Sequence, residues 1–234
     1  MTSKDVKAYI AEFIGTFTLV FIGSMSVWFI SQPGYNAGTI VPAFAHGLAI
    51  VFAAYSIGHI SGAHINPAVS IAVAIAGGIT WVKAIIYIVV QIIAAIVAAF
   101  LLNALLLPQG GVAPAAQFGA YTYNASFTTS IGALFIEAVL TFFLAFVVCM
   151  GAVYGKAGNL AGLAIGLTLA MAIAGAGGIT GASLNPARSL GPAIVAGNLS
   201  EIWVFIIGPI LGGAVAALIA RYVVHTPEEQ EKTP

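Results

Sequence analysis

The sequence predicts an all-α membrane protein with six transmembrane helices and two re-entrant half-helices, arranged as an inverted 3+3 repeat. Three observations predict it. Charged residues are 6% of the 234, hydrophobic ones 61%, and the mean hydropathy is +1.07, against roughly 25% charged in a soluble domain. The stretch at residues 58–70, Gly-His-Ile-Ser-Gly-Ala-His-Ile-Asn-Pro-Ala-Val-Ser, returns at residues 177–189 as Gly-Gly-Ile-Thr-Gly-Ala-Ser-Leu-Asn-Pro-Ala-Arg-Ser. Each copy lies among apolar runs long enough to cross a bilayer, and each opens one that is too short.

The elements follow in order. Tyr9 to Ile30 is apolar over enough residues to cross a ~30 Å hydrocarbon core. It is too long for a signal-peptide core and carries Glu12, so it reads as a retained helix. A second span, about Thr39 to Ile57, leads into the first Asn-Pro-Ala loop. Asn is a favoured helix N-cap and Pro suits the first helical position, where its missing N–H costs nothing. From Asn66 to about Ala76 only roughly eleven residues remain before Gly77-Gly78, which at ~1.5 Å each cannot span. Trp81 to Leu107 spans again.

Pro108 to Ser130 is an uncharged, Gly- and Pro-containing connection and the boundary between halves. The pattern then restarts. Ile131 to Ala152 and Leu160 to Gly175 span, Asn185 to about Ala196 is a second half-helix, and Ile202 to Val224 spans. The acidic tail, residues 226–234, reads as solvated and disordered. The chain is thus one membrane domain over 1–234, with repeat 1 at about 8–107, the connecting loop at about 108–130 and repeat 2 at about 131–224.

Three spans per half is an odd number, so the second half enters the membrane from the opposite face. Inverted repeats place functional sites near the midplane, where interrupted helices meet. Lys4, Lys7, Lys83, Lys156, Arg221 and Lys232 then share the side of the N-terminus, with Arg188 alone opposite. The positive-inside rule puts both termini in the cytoplasm, and the cell membrane is the expected location.

Non-helical backbone at membrane depth must be buried or line a polar cavity. The two loops offer the carbonyls of Gly62, Ala63 and His64 and of Gly181, Ala182 and Ser183. Between them, Asn66 and Asn185 can each spare an amide N–H while the side-chain oxygen caps its helix. Two half-helix N-termini, each worth roughly +0.5 charge, oppose a cation there. An Arg within a membrane segment normally faces a polar cavity, which singles out Arg188.

Two Asn-Pro-Ala motifs in inverted halves, the second continuing as Arg188-Ser189, closely resemble the aquaporin (major intrinsic protein) family. Further matches are residues 11–16, Ala-Glu-Phe-Ile-Gly-Thr, residues 58–64 before the first motif, and Gly208-Pro209 in the last helix. The resemblance covers about Glu12 to Val224 and implies an aquaporin-like fold, a passive water channel and a homotetramer with one pore per subunit. It makes Asn66, Pro67, Ala68, Asn185, Pro186 and Ala187 the central motifs. It also places a narrow filter at His46, Ile173, Ala182 and Arg188, a combination similar to tonoplast-type members that also admit ammonia, urea or peroxide.

By the same resemblance, Glu12 and Glu137 accept hydrogen bonds from loop backbone and brace the loops, in preference to a proton relay. Leu19, Ile50 and Leu144 supply apolar wall or interhelical packing. Ser189 stands where glycerol facilitators carry Asp, which argues against that branch, whereas Phe205 and Ile206 give a split marker.

Two alternatives stay open: a facilitator of glycerol or other small neutral solutes, and a non-conducting junction or scaffold protein on the same fold. An ion channel or coupled transporter would need charged rings, and neither Asn-Pro-Ala loop carries an acidic residue. No nucleophile with a base and no metal-ligand cluster is legible, so no enzyme, cofactor or metal is expected. The expected partners are water, small neutral solutes, the lipid bilayer and further copies of the chain. Zero net charge gives no argument for nucleic acid. Small residues every four positions, Ala45, Ala49 and Ala53, and Gly162, Gly166 and Ala170, predict close helix packing.

Overall fold

The computed structural model describes residues 2–34, 37–106, 119 and 121–224. The expected disordered tail at 226–234 and most of the connecting loop lie outside the described residues. Repeat 1 contains α1 (Ser3–Ile30), α2 (Ile40–Ser61), the short α3 (Pro67–Ala76) and α4 (Trp81–Leu105). Repeat 2 contains α5 (Ser130–Val147), α6 (Ala161–Ala176), the short α7 (Pro186–Ala196) and α8 (Ile202–Ile219). Among the described residues, six helical stretches are long and apolar enough to cross a membrane: Ser3–Ile30, Ile40–Ser61, Trp81–Leu105, Ser130–Val153, Gly158–Ala176 and Ile202–Val224.

The termini of these helices have local causes. Thr2, Thr80 and Thr129 cap α1, α4 and α5, each hydroxyl accepting a first-turn backbone N–H. Both short helices have Asn at the N-cap, Pro in the first turn and a left-handed Gly, Gly77 or Gly197, as the stop. The end of the fourth span differs from the uniform α-helix the sequence suggests. Val148–Val153 is π-helical, and the Tyr154 N–H reaches the Cys149 carbonyl at 2.9 Å. That extra residue per turn carries Val148, Gly151 and Ala152 to the wall of an internal cavity.

The packing repeats itself. Helix α1 lies on α2 and α4, and α5 on α6 and α8, while α2 faces α6 across the middle. Each short helix leans on the other half: α3 on α8, and α7 on α4. Exchanging α1 with α5, α2 with α6, α3 with α7 and α4 with α8 returns the same set of neighbours. That is the property of two repeats related by a twofold. With three spans in each, the second is inverted relative to the first.

The central seam is built on glycine. A Cβ on Gly166 would stand 2.5 Å from the Gly47 carbonyl oxygen, and one on Gly47 would stand 2.6 Å from the Gly166 oxygen. The α6 stripe of Gly162, Gly166 and Ala170 therefore faces α2, as small-residue spacing predicts. On α2 it is Gly47, Val51 and Ala54 that meet α6, whereas Ala53 packs against Gly15 of α1. On α2 small residues lie on several faces, so spacing alone cannot choose among them. One apolar cluster runs through the middle of the molecule, joining Leu19, Ile50, Ile65, Val69, Leu144, Ile173 and Leu184.

Candidate functional site

The two repeated loops adopt the same uncommon backbone. Gly62 and Gly181 are left-handed, and so are Ala63 and Ile65 in the first loop and Ala182 and Leu184 in the second. For non-glycine residues, above all β-branched Ile65 at φ 46°, this conformation is costly and persists only where surroundings enforce it. The enforcement comes from two buried carboxylates. Glu12 accepts the His64 N–H at 2.9 Å and the Ile65 N–H at 2.7 Å. Glu137 accepts those of Ser183 and Leu184 at 3.0 and 2.8 Å. Thr180 adds a hydroxyl bond to Glu137 at 2.7 Å, and Gln91 adds an amide bond to Glu12 at 2.8 Å.

With those N–H groups turned to the carboxylates, no backbone N–H of the described residues reaches the carbonyls of Gly62, Ala63, His64, Gly181, Ala182 or Ser183. The Arg188 guanidinium takes one, donating from Nη1 to the Ala182 oxygen at 3.1 Å.

At the middle the two short helices meet end to end and cross-link. The Asn66 side-chain oxygen accepts the Ala68 N–H at 2.9 Å, and that of Asn185 accepts the Ala187 N–H at 3.0 Å. Each amide then donates across the centre. Asn66 Nδ2 donates to the Leu184 carbonyl at 2.8 Å, and Asn185 Nδ2 to the Ile65 carbonyl at 2.9 Å. An amide nitrogen has two N–H groups, so each Asn retains one beyond the cap and the crossing. Pro67, Ala68, Pro186 and Ala187 are buried in the first turns.

Two cavities approach this centre from opposite ends. One, of about 330 Å³, opens on the side of the α1 N-terminus and is lined by Gly62, Ala63, His64, Asn66, Ile50 and Leu144 among others. The other, of about 350 Å³, opens on the far side and is lined by Tyr121, Gly181, Val27 and Gly178 among others. Leu19 belongs to the same apolar cluster as Ile50 and Leu144 but does not border the first cavity.

His46, Ile173, Ala182 and Arg188 are all 1% exposed or less. His46 Nδ1 is 2.7 Å from the Pro42 carbonyl. A carbonyl can only accept, so Nδ1 carries the hydrogen, and in the neutral ring Nε2 is left as an acceptor. The ring fits because residue 23 is Gly, whose absent Cβ would strike His46 Nε2.

Several contributors were not singled out from the sequence. Gln91 Nε2 also donates to Ser70 Oγ at 3.0 Å, which lies 3.2 Å from His64 Nδ1. Tyr87 donates to the Ser61 carbonyl at 2.8 Å. The Tyr121 ring lies over the Arg188 guanidinium, 4.2 Å from its carbon to the ring centroid. A polar residue in an apolar helix, as Gln91 is, signals a buried partner. Nothing in the spacing of Tyr121 or Gly23 points to a site.

The profile of the Major intrinsic protein family matches residues 1–220. Aquaporin NIP1-3 of Oryza sativa subsp. japonica is 40% identical over 209 residues, covering 89% of this chain and 70% of its own. Aquaporin TIP2-3 of Zea mays is 37% identical over 227 residues, 94% of this chain and 88% of its own. Aquaporin-8 of Notomys alexis is 36% identical over 219 residues, 92% of this chain and 81% of its own. Among solved structures, the aquaglyceroporin from Plasmodium falciparum superposes with a TM-score of 0.80 at 25% identity, over 98% of this chain and 100% of that one. A six-span inverted bundle with two crossed half-helices, matched over most of its length by these relatives, belongs to the major intrinsic protein (aquaporin) family: it is a membrane channel and not an enzyme.

Proposed function

We propose that this channel passes water in single file, excludes ions and protons, and also admits ammonia, urea or hydrogen peroxide. The observation that carries the reading is the reciprocal crossing of Asn66 and Asn185. Each amide is fixed by its own helix cap and by the opposite loop, which leaves one N–H apiece, with Asn66 on the wall of the inner cavity. A water molecule that gives its oxygen to those donors has both hydrogens turned outward. It cannot then pass a proton along a continuous chain. Two helix N-termini add positive potential at the same point, a means of cation exclusion general to aquaporin-type pores. The loop carbonyls that no backbone N–H claims supply acceptors on either side.

In this reading His46, Ile173, Ala182 and Arg188 form the filter. Arg188 presents donors, His46 Nε2 an acceptor, and Ile173 and Ala182 an apolar and a small wall, so the gap is wider and less polar than in a strict water filter. Ile50, Leu144 and Leu19 supply the apolar wall elsewhere, and Glu12 and Glu137 brace the loops. The assembly is a homotetramer in the cell membrane with both termini cytoplasmic. Glycerol transport is the second reading, favoured by the likeness to an aquaglyceroporin.

Stopped-flow light scattering on proteoliposomes tests the proposal by comparing osmotic water flux with ammonia and glycerol uptake in wild type and in the His46→Phe/Ile173→His double variant. Fast water and ammonia flux, with ammonia lost in the variant, is expected. Water flux alone would mean that these residues do not widen the filter, and fast glycerol uptake would favour the facilitator. No flux above empty liposomes from folded protein would point to a non-conducting member.

A further inference from the structure

We propose that Tyr121 is the positioning residue of the filter: the face of its ring holds the Arg188 guanidinium against the Ala182 carbonyl and thereby sets which solutes pass. The proposal rests on the reading of Arg188 as a filter residue. Tyr121 belongs to neither Asn-Pro-Ala loop. It comes from the segment before α5, between Gly119 and the Thr129 cap.

Arg188 is 1% exposed, yet among the described residues its guanidinium makes a single hydrogen bond, at 3.1 Å to the Ala182 carbonyl. Its Nε has no partner among the described residues. One hydrogen bond lets a guanidinium pivot about that contact. What prevents pivoting toward the outer cavity is the Tyr121 ring, whose centroid lies 4.2 Å from the guanidinium carbon, inside the range in which a ring face attracts a cation. A guanidinium is planar with its donors in the plane. A ring this close to the guanidinium carbon therefore limits how far that plane can swing.

The ring is itself seated with care. A Cβ on residue 181 would fall within the Tyr121 ring, so the close approach requires Gly181. The Phe205 ring lies behind, centroids 5.7 Å apart at 45°. The Tyr121 hydroxyl is buried without a partner among the described residues. The position thus uses the face of the ring and not its polar end. Tyr121 and Gly181 also line the outer cavity, so the arginine that faces the filter is backed by the wall of its own entrance.

The test uses the full chain in proteoliposomes, with Tyr121→Phe, Tyr121→Leu and Tyr121→pentafluoro-Phe compared for osmotic water permeability and for urea and glycerol uptake. Phe keeps the face and drops only the unpartnered hydroxyl, so the wild-type ratio of urea to water permeability is expected. Leu keeps apolar contact without the ring face, and pentafluoro-Phe keeps the shape with the face depleted. Both should raise the urea-to-water ratio severalfold while water flux persists. If Tyr121 only filled space, pentafluoro-Phe would match wild type, and that result overturns the proposal, as would a Phe variant that fails to restore the ratio.

A second readout does not depend on permeation. Melting temperatures of Tyr121→Leu, Arg188→Met and the double variant in detergent should be clearly non-additive, because the two side chains act as a pair. Additive losses overturn the proposal. Absence of flux in the wild type together with non-additive melting would instead sink the permeation reading and leave the Tyr121 contact standing.

Discussion

Ile65 and Leu184 are bulky residues in a left-handed conformation, and each is the residue whose N–H is held by a carboxylate, Glu12 or Glu137. The strain and its restraint are one device. In Glu137→Gln one acceptor oxygen becomes an NH₂ group that faces a backbone N–H. At least one of the Ser183 and Leu184 donors is then left unmet, at a cost of about 1–3 kcal/mol for a buried donor. A lower melting temperature in detergent is expected, with water permeability reduced further than the loss of folded protein explains, because the Asn185 cap sits on the loosened loop. Glu12→Gln should cost a comparable amount, since one of its two oxygens, which accept from His64 and from Ile65 and Gln91, is likewise lost. Unchanged melting in both variants would remove the bracing role.

The residues in this device were legible because the sequence states them twice. Asn66 and Asn185, the two acidic residues deep in spans, and Arg188 are each conspicuous in an apolar chain. Tyr121 was not legible, because its partner, Arg188 in the first turn of α7, lies 67 residues away in sequence, and one aromatic among many carries no pattern.

Among the helices, the close approach of α2 and α6 depends on two glycines whose carbonyls occupy each other's missing side chains. Gly166→Ala inserts a methyl where the Gly47 oxygen and the Val51 side chain stand at 2.5 and 2.6 Å, so backbone must move. Overpacking of this kind typically costs about 1–3 kcal/mol. Gly175→Ala, on the same helix, meets nothing within 4 Å and should be neutral or slightly stabilising, since alanine is the better helix former. Thermal unfolding in detergent of the two variants side by side checks this. Equal stability would show that α2 and α6 can separate without penalty. The π-helical Val148–Val153 segment belongs to the same scale. Its sequence, Val-Cys-Met-Gly-Ala-Val, is consistent with an ordinary helix, and nothing in it marks the wider turn.

For the whole molecule, the exchange of the two halves maps the helix contacts onto themselves, so a position at one face has its counterpart at the other. Lys4 and Lys156 then lie on one side and Ser126 on the opposite side. In a Cys149→Ser background, Ser126→Cys should react with a membrane-impermeant maleimide on intact cells, and Lys4→Cys only after permeabilisation. The reverse pattern would place the termini outside and contradict the charge argument.

The sequence by itself determined the class, the number of spans, the two half-helices and their inversion. Each follows from segment length, apolar composition and a motif that occurs twice, which are local properties the bilayer reads directly. It also marked Asn66, Asn185, Arg188, Glu12 and Glu137, because a polar group in so apolar a chain must have a buried purpose. Tertiary structure alone decided which partners those groups meet: the crossing of each Asn to the opposite loop, the choice of Gly47 over Ala49 at the seam, and the Tyr121 ring over Arg188. These depend on groups distant in sequence coming within about 3 to 4 Å of one another. No periodicity along the chain encodes such a distance.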